Sequence, residues 1–221
     1  MTNIYGKVVV LGSQGVGKTS IIKRYIEKKF NEHLNPTIGA LFFSCKLDME
    51  DSRVVLMIWD TAGQERFRSM APMYYRKANA AMLVFDLTQY STFTAMKRWV
   101  EELQKNVEDP MVLAVIGNKL DLMEKRQVDA EEARVYATKI GASYHETSVL
   151  QSDGIENLFL SIGTGLLKLS STNCDLTLLR SVDSIDLNWS DLDTLCTPTI
   201  EETAQNLSTA HGTQEKSFKC C

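Results

Sequence analysis

The sequence predicts an α/β fold: a six-stranded, mostly parallel sheet with one antiparallel edge hairpin strand and helices on both faces. Three observations predict it. Short apolar runs alternate with amphipathic runs through residues 8–169, the pattern of right-handed strand–helix–strand crossovers. Two of the runs are joined only by Glu50-Asp51-Ser52, a link too short for a parallel crossover, so they form an antiparallel hairpin. The first apolar run leads into Gly12-Ser-Gln-Gly-Val-Gly-Lys-Thr19, a glycine-rich loop between strand and helix.

Residues 8–11, Val-Val-Val-Leu, read as a buried parallel strand. The glycine loop follows, and residues 20–28 read as the first helix. In such a loop the backbone N–H groups of Gly15, Val16, Gly17 and Lys18, continued by Thr19 and Ser20 at the helix start, cradle phosphate oxygens. Lys18 reaches the terminal phosphates and the Thr19 hydroxyl holds Mg²⁺. Residues 41–49 and 53–59 form the hairpin. Strands follow at 80–85, 111–116 and 142–145, separated by helices at 92–106 and 130–140, and residues 155–169 form the last helix. Trp99, Met82 and Met111 are expected in the core. Gly163 and Gly165 interrupt the last helix, each costing about 1 kcal/mol relative to alanine.

Composition bounds the rest. Hydrophobic residues make up 44% of the chain, ordinary for a globular protein. No apolar run approaches the roughly 20 residues that span a bilayer, and the N-terminus lacks the shape of a signal peptide. The chain is expected to be cytosolic, its five cysteines without metal spacing and without disulfides. The three histidines are scattered and are not expected to ligate a metal or catalyse. A net charge of −4 gives no reason to expect nucleic-acid binding. Between 170 and 221, three basic residues face eight acidic ones, leaving that stretch at −5 and the preceding residues at +1. Composition shifts there toward Ser, Thr, Asn and Asp. The chain is therefore divided into a globular domain, 1–169, and a flexible acidic tail, 170–221.

In such folds ligands bind outside the carboxyl ends of the strands, and four further segments fall at those ends or in the adjoining loops. They are Pro36-Thr37-Ile38-Gly39, Asp60-Thr61-Ala62-Gly63-Gln64, Asn118-Lys119-Leu120-Asp121 and Glu146-Thr147-Ser148. With the glycine loop they resemble, in order and spacing, the five signature boxes of the Ras-like small GTPases. A carboxylate at Asp121 can accept from guanine N1–H and the 2-amino group, a pair that adenine does not offer; leaving it unpaired would cost several kcal/mol. This disfavours a P-loop kinase or ATPase. The resemblance implies GTP and GDP as ligands with Mg²⁺. It makes Thr19, Thr37 and Asp60 the metal-binding residues, Gly63 and Thr37 contacts of the γ-phosphate, and Gln64 the catalytic residue that orients the attacking water. It further implies that Asn118 and Lys119 brace the glycine loop and cover the base, that Phe30 packs on the base edge, and that Ser148, Val149 and Leu150 complete the guanine site. Gly63 must be glycine because the backbone there approaches a phosphate. Loops 31–40 and 61–76 are expected to rearrange when the γ-phosphate is lost.

Ile38-Gly39-Ala40-Leu41-Phe42, the run from Ile58 to Phe67, Tyr74-Tyr75-Arg76-Lys77-Ala78 and Leu83-Val84-Phe85-Asp86-Leu87-Thr88 are similar to the Rab family in particular. Ala71-Pro72-Met73-Tyr74-Tyr75 is closest in appearance to the early-endosomal Rabs. This resemblance implies a trafficking switch that recruits effectors when GTP-bound, through Ile38, Phe42, Trp59 and Tyr74. It also implies two prenyl groups on Cys220 and Cys221, and a monomeric domain served by an exchange factor, a GTPase-activating protein, an escort protein and a GDP-dissociation inhibitor. The expected location is the cytoplasmic face of an intracellular membrane, endosomal above others, with cycling through the cytosol. Gln14 stands where many Ras-like proteins have glycine, and Val149-Leu150 where the family has Ala-Lys. These departures keep open a nucleotide-binding adaptor with negligible hydrolysis. In the tail, Leu178, Val182, Ile185, Trp189 and Leu192 recur at helical spacing. That run reads either as a spacer or as an acidic segment that orders on a partner, with Trp189 as its anchor.

Overall fold

The computed structural model describes residues 2–31, 34–49, 52–64, 69–172 and 179–180. The elements run β1 (Thr2–Leu11), α1 (Lys18–Glu27), β2 (Ala40–Asp48), β3 (Ser52–Thr61), α2 (Ala71–Tyr75), β4 (Ala80–Asp86), α3 (Tyr90–Asn106), β5 (Val112–Asn118), a 3-10 segment (Leu120–Lys125), α4 (Ala130–Lys139), β6 (Ser143–Thr147), α5 (Ile155–Thr172) and a short β7 (Leu179–Arg180). The sheet order is β2-β3-β1-β4-β5-β6. Five strands are parallel; β2 runs antiparallel to β3 at the edge, with Phe42 opposite Trp59. β7 pairs antiparallel with β1 at Ile4 and Tyr5.

The strands follow from their residues. All seven residues of β4 are buried, as a central strand covered on both faces requires. Along β1, Val8 and Val10 face one core with α1 and α5, while Val9 and Leu11 face the other with α2, α3 and α4, the period-two alternation of a pleated strand. In α3 the buried residues are Thr92, Phe93, Met96, Val100 and Leu103, one helical stripe. Asp129 caps α4 by accepting from the backbone N–H groups of Glu131 and Glu132. Met82 is fully buried, while Trp99 and Met111 lie half-buried against the second core.

The two glycines of α5 do not break it. Glycine there lets the helix lie close on the sheet: a Cβ on Gly163 would come 2.8 Å from Leu47 Cδ1, and one on Gly165 would come 2.7 Å from Val112 Cγ1. Tyr25 of α1 stacks on Phe159 of α5 at 3.8 Å, 6° from parallel, and Leu166 packs beneath Gly6 of β1. This layer fixes the far side of the sheet. β1 begins earlier than the apolar run suggested because its first half pairs with β3 from Thr2 onward. α2 and the 3-10 segment are too short to show a period in the sequence. α5 runs to Thr172, past its expected end at 169.

The sheet places the site. From β1 the chain crosses to β3 on one side, and the later strands build out on the other. The carboxyl end of β1 is therefore the point where strand order reverses, and a crevice opens there.

Candidate active site

The loop after β1 turns into α1 at Gly17, whose φ of 97° favours glycine. A side chain at Gly17 would also collide with Asn118 Nδ2. Lys18 folds back over the loop, its Nζ donating to the Gly12 carbonyl at 2.8 Å and the Ser13 carbonyl at 2.9 Å. Burial pulls its ammonium down to about 8, against the opposing pull of Asp60. A buried cation whose hydrogen bonds among the described residues go to carbonyl oxygens is poised for an anion.

A cleft of about 190 Å³ opens beside it, lined by the loop, by residues 34–37 and by Gly63 and Gln64. Three oxygen donors from three elements meet at its floor. Thr19 Oγ1 of α1 donates to Asp60 Oδ2 of β3 at 2.5 Å and lies 2.9 Å from Thr37 Oγ1. The other carboxylate oxygen, Asp60 Oδ1, is buried and meets no donor among the described residues. Burial pushes this carboxyl up to about 6, although the Thr19 and Thr37 hydroxyls and Lys18 favour its charge. Two hydroxyls and a desolvated carboxylate with a spare oxygen form a hard donor set, which suits a small divalent cation. Gly63 lies so close to the loop that a Cβ would run into Gln14 N, and would come 2.5 Å from Lys18 Nζ. The residues predicted to bind phosphate and metal thus come together.

Some of the predicted base residues are tied together: the end of β5 and the segment after it are joined to the end of β6 and the residue beyond it through Asn118 and Thr147 and through Asp121 and Ser148. Asn118, at the end of β5, donates through Nδ2 to the Val16 carbonyl at 2.8 Å and accepts from Thr147 Oγ1 at 3.0 Å. Lys119 takes a left-handed backbone, φ 70°, and its ammonium pairs with Asp86 Oδ2 at 2.7 Å. Asp121 Oδ1 accepts from Ser148 Oγ at 2.5 Å, and Ser148 Oγ accepts from Gln151 N at 3.1 Å. Phe30, just beyond α1, is 44% exposed. Val149 differs from the rest of its group: it is 8% exposed and belongs to the core packed on α5, whereas Leu150 is 52% exposed. Glu146 and Thr147 were named only as part of a strand-end segment, without their partners, and Asp86 and Arg126 were missed as supports of this site. Only the position of Asp86 at the end of a wholly apolar strand could have marked it.

On the outer face Phe42, Trp59 and Tyr74 form a chain of rings, with centroids 5.6 Å and then 5.9 Å apart. Tyr74 is buried beneath it, and Ile38 is 75% exposed beside the cleft. Cys220, Cys221 and the segment around Trp189 lie outside the described residues, as does His33.

A family model for the Ras family matches residues 7–168. The chain belongs to the Ras family. Within it the similar proteins are Rabs. RabJ of Dictyostelium discoideum is 47% identical over 73% of this chain and 63% of its own length. Human Rab-21 is 47% identical over 71% of this chain and 69% of its own. Tobacco Rab5 is 45% identical over 74% of this chain and 82% of its own. The chain spans under two thirds of RabJ and more of the other two. It is a Rab close to the early-endosomal members. As a Rab of the Ras family it is a GTP phosphohydrolase that binds GTP and GDP, regulates trafficking, and works through regulators and effectors. No described helix is long and apolar enough to cross a membrane.

Proposed function

We propose that this Rab is a Mg²⁺-dependent switch of the endosomal pathway, held on the cytoplasmic face of the membrane by prenyl groups on Cys220 and Cys221. One observation carries the switch chemistry: Thr37, from the loop before β2, lies 2.9 Å from Thr19 Oγ1, which donates to Asp60 Oδ2, while the other oxygen of that carboxylate is buried with no donor among the described residues. When bound, Mg²⁺ neutralises charge on the phosphate oxygens. Thr19 of α1 and Asp60 of β3 would hold the cation from the start of a helix and the end of a strand, and Thr37 would tie the loop before β2 to it. The loop N–H groups and Lys18 fix the phosphates. Gln64, at the mouth of the cleft, orients a water that attacks the γ-phosphorus; the bond to the bridging oxygen breaks, giving GDP and phosphate.

Ile38 and the Phe42–Trp59–Tyr74 rings lie next to these loops, so effectors dock where nucleotide state is felt. An exchange factor, a GTPase-activating protein, an escort protein and a GDP-dissociation inhibitor act on the monomeric domain. The similarity to Rab-21 and Rab5 supports the endosomal assignment. An N-terminally tagged chain is expected on endosomes as wild type and as Gln64→Leu, and in the cytosol as Thr19→Asn or with both terminal cysteines changed to serine. Placement of the wild type on another organelle would refute the assignment. GTP turnover measured with and without a GTPase-activating protein separates a timed switch from an adaptor with negligible hydrolysis.

A further inference from the structure

Three consecutive residues at and just beyond the end of β6 reach across to the end of β5 and the segment that follows it. Thr147 bonds Asn118 at 3.0 Å, and Ser148 bonds Asp121 at 2.5 Å. The third, Glu146, turns to a different partner. It meets Arg126 in a two-pronged pair, Nη1 to Oε1 at 2.8 Å and Nη2 to Oε2 at 2.6 Å, and accepts from the Tyr144 hydroxyl at 2.6 Å. Arg126 directly follows the 3-10 segment that carries Asp121, and its own N–H closes that segment on the Met123 carbonyl.

Both charged side chains are about four-fifths covered, at 19% and 20% exposure. A forked, charge-assisted pair in such a setting is geometrically demanding and strongly favoured. Breaking one side leaves the other charge covered and unpaired. On the far side of Glu146, Gly154 lies against the Glu146 carbonyl so closely that a side chain there would collide. Glu146 is thus pinned from both sides, and Tyr144 holds the carboxylate in the rotamer that receives the fork.

We infer that Arg126, Glu146 and Tyr144 form a clamp that fixes the spacing of the two base-recognition loops and so sets how long the guanine nucleotide stays bound. They are positioning residues, acting through Asp121 and Ser148. The inference rests on Asp121 reading the base, and the test separates the two.

Release of fluorescent GDP from the full chain is measured by displacement with excess unlabelled GDP, beside single-turnover hydrolysis of GTP already loaded. Glu146→Gln preserves shape but loses the charged fork, and should release GDP about tenfold faster, equivalent to about 1.4 kcal/mol. Hydrolysis of the loaded GTP, governed at the other end of the cleft, should change less than twofold. Tyr144→Phe should speed release about two- to threefold, and Arg126→Lys should fall between wild type and Glu146→Gln. Release unchanged in Glu146→Gln would overturn the clamp, as would release and hydrolysis rising or falling together. A wild type that did not select GDP over ADP would overturn the reading of Asp121 and the clamp with it.

Discussion

The Thr19 hydroxyl donates to the Asp60 carboxylate at 2.5 Å, joining residues 41 positions apart. The bond ties the start of α1 to the end of β3, and Asp60 Oδ1 is buried with no donor among the described residues. A covered carboxylate oxygen without a partner is costly, and a cation removes that cost. Removing Mg²⁺ with a chelator should therefore lower the thermal midpoint of the nucleotide-loaded protein and speed GDP release. Thr19→Asn should weaken Mg²⁺ and GTP binding together, since an amide cannot reproduce the hydroxyl geometry. Calorimetric titration with GTP, GDP and ATP checks this, and binding of ATP as tight as GTP would contradict it.

Gly63 meets the backbone of Gln14 across the cleft, and Gln64 lines the same wall. Replacing Gln64 with leucine removes the group that orients water, so GTP should stay bound and effector binding should last longer. The side chain of Gln14 stands at the same mouth. Gln14→Gly should change the intrinsic hydrolysis rate, read as phosphate release in a single turnover. Wild-type and Gln14→Gly rates that match both without and with a GTPase-activating protein would show that Gln14 does not touch the reaction.

The glycine loop, the strand ends and the base box were legible in the sequence because each is a contiguous run at a predictable place in the fold. Asp60, Thr19 and Thr37 were named from such runs, and the structure brings them together. The supports were not legible. Asp86 at the end of β4 holds Lys119 and Arg126 holds Glu146 of β6, but each pair joins segments far apart in the chain, and a residue's partner across such a gap has no local signature. The roles of Gly163 and Gly165 were misjudged for the same reason: their cost to the helix is local, whereas their gain depends on Leu47 and Val112 on the sheet.

Those two glycines should respond differently to alanine. Each substitution gains about 1 kcal/mol of helix propensity and pays an overpacking cost of roughly 1–3 kcal/mol. The atom facing Gly163 is Leu47 Cδ1, the end of a flexible side chain, so Gly163→Ala should be close to neutral. The atom facing Gly165 is Cγ1 of Val112, a β-branched side chain with little freedom to turn. Gly165→Ala should lower stability by about 1 kcal/mol. Urea denaturation of the GDP-bound forms measures both, and the reverse order would show that the backbone of α5 shifts instead.

The Glu146 carboxyl is held below its ordinary value of 4.5, first by the hydrogen bonds from Arg126, against the opposing effect of burial. A carboxyl depressed on folding stabilises the protein above its ordinary pKa and loses that contribution as pH falls through the lowered value. The gap in thermal midpoint between wild type and Glu146→Gln should therefore hold from neutral pH down to about 4.5 and close only below it. A gap that closed above that range would mean that the pair is solvated.

Val149 and Leu150 stand where the resemblance places Ala-Lys, and the structure gives them different surroundings. Val149 is buried in the core beside α5, so its bulk is absorbed inside rather than turned toward the base. Shortening it to alanine removes two buried methyl groups and should cost roughly 2 kcal/mol of stability. Leu150 is half exposed and can be exchanged without disturbing that core. By resemblance a lysine stem belongs over the base here, so Leu150→Lys alone should slow GDP release. Val149→Ala should lower the thermal midpoint and leave the release rate of the folded protein little changed. Release slowed by Val149→Ala but not by Leu150→Lys would mean that the valine, despite its burial, holds the loop away from the base.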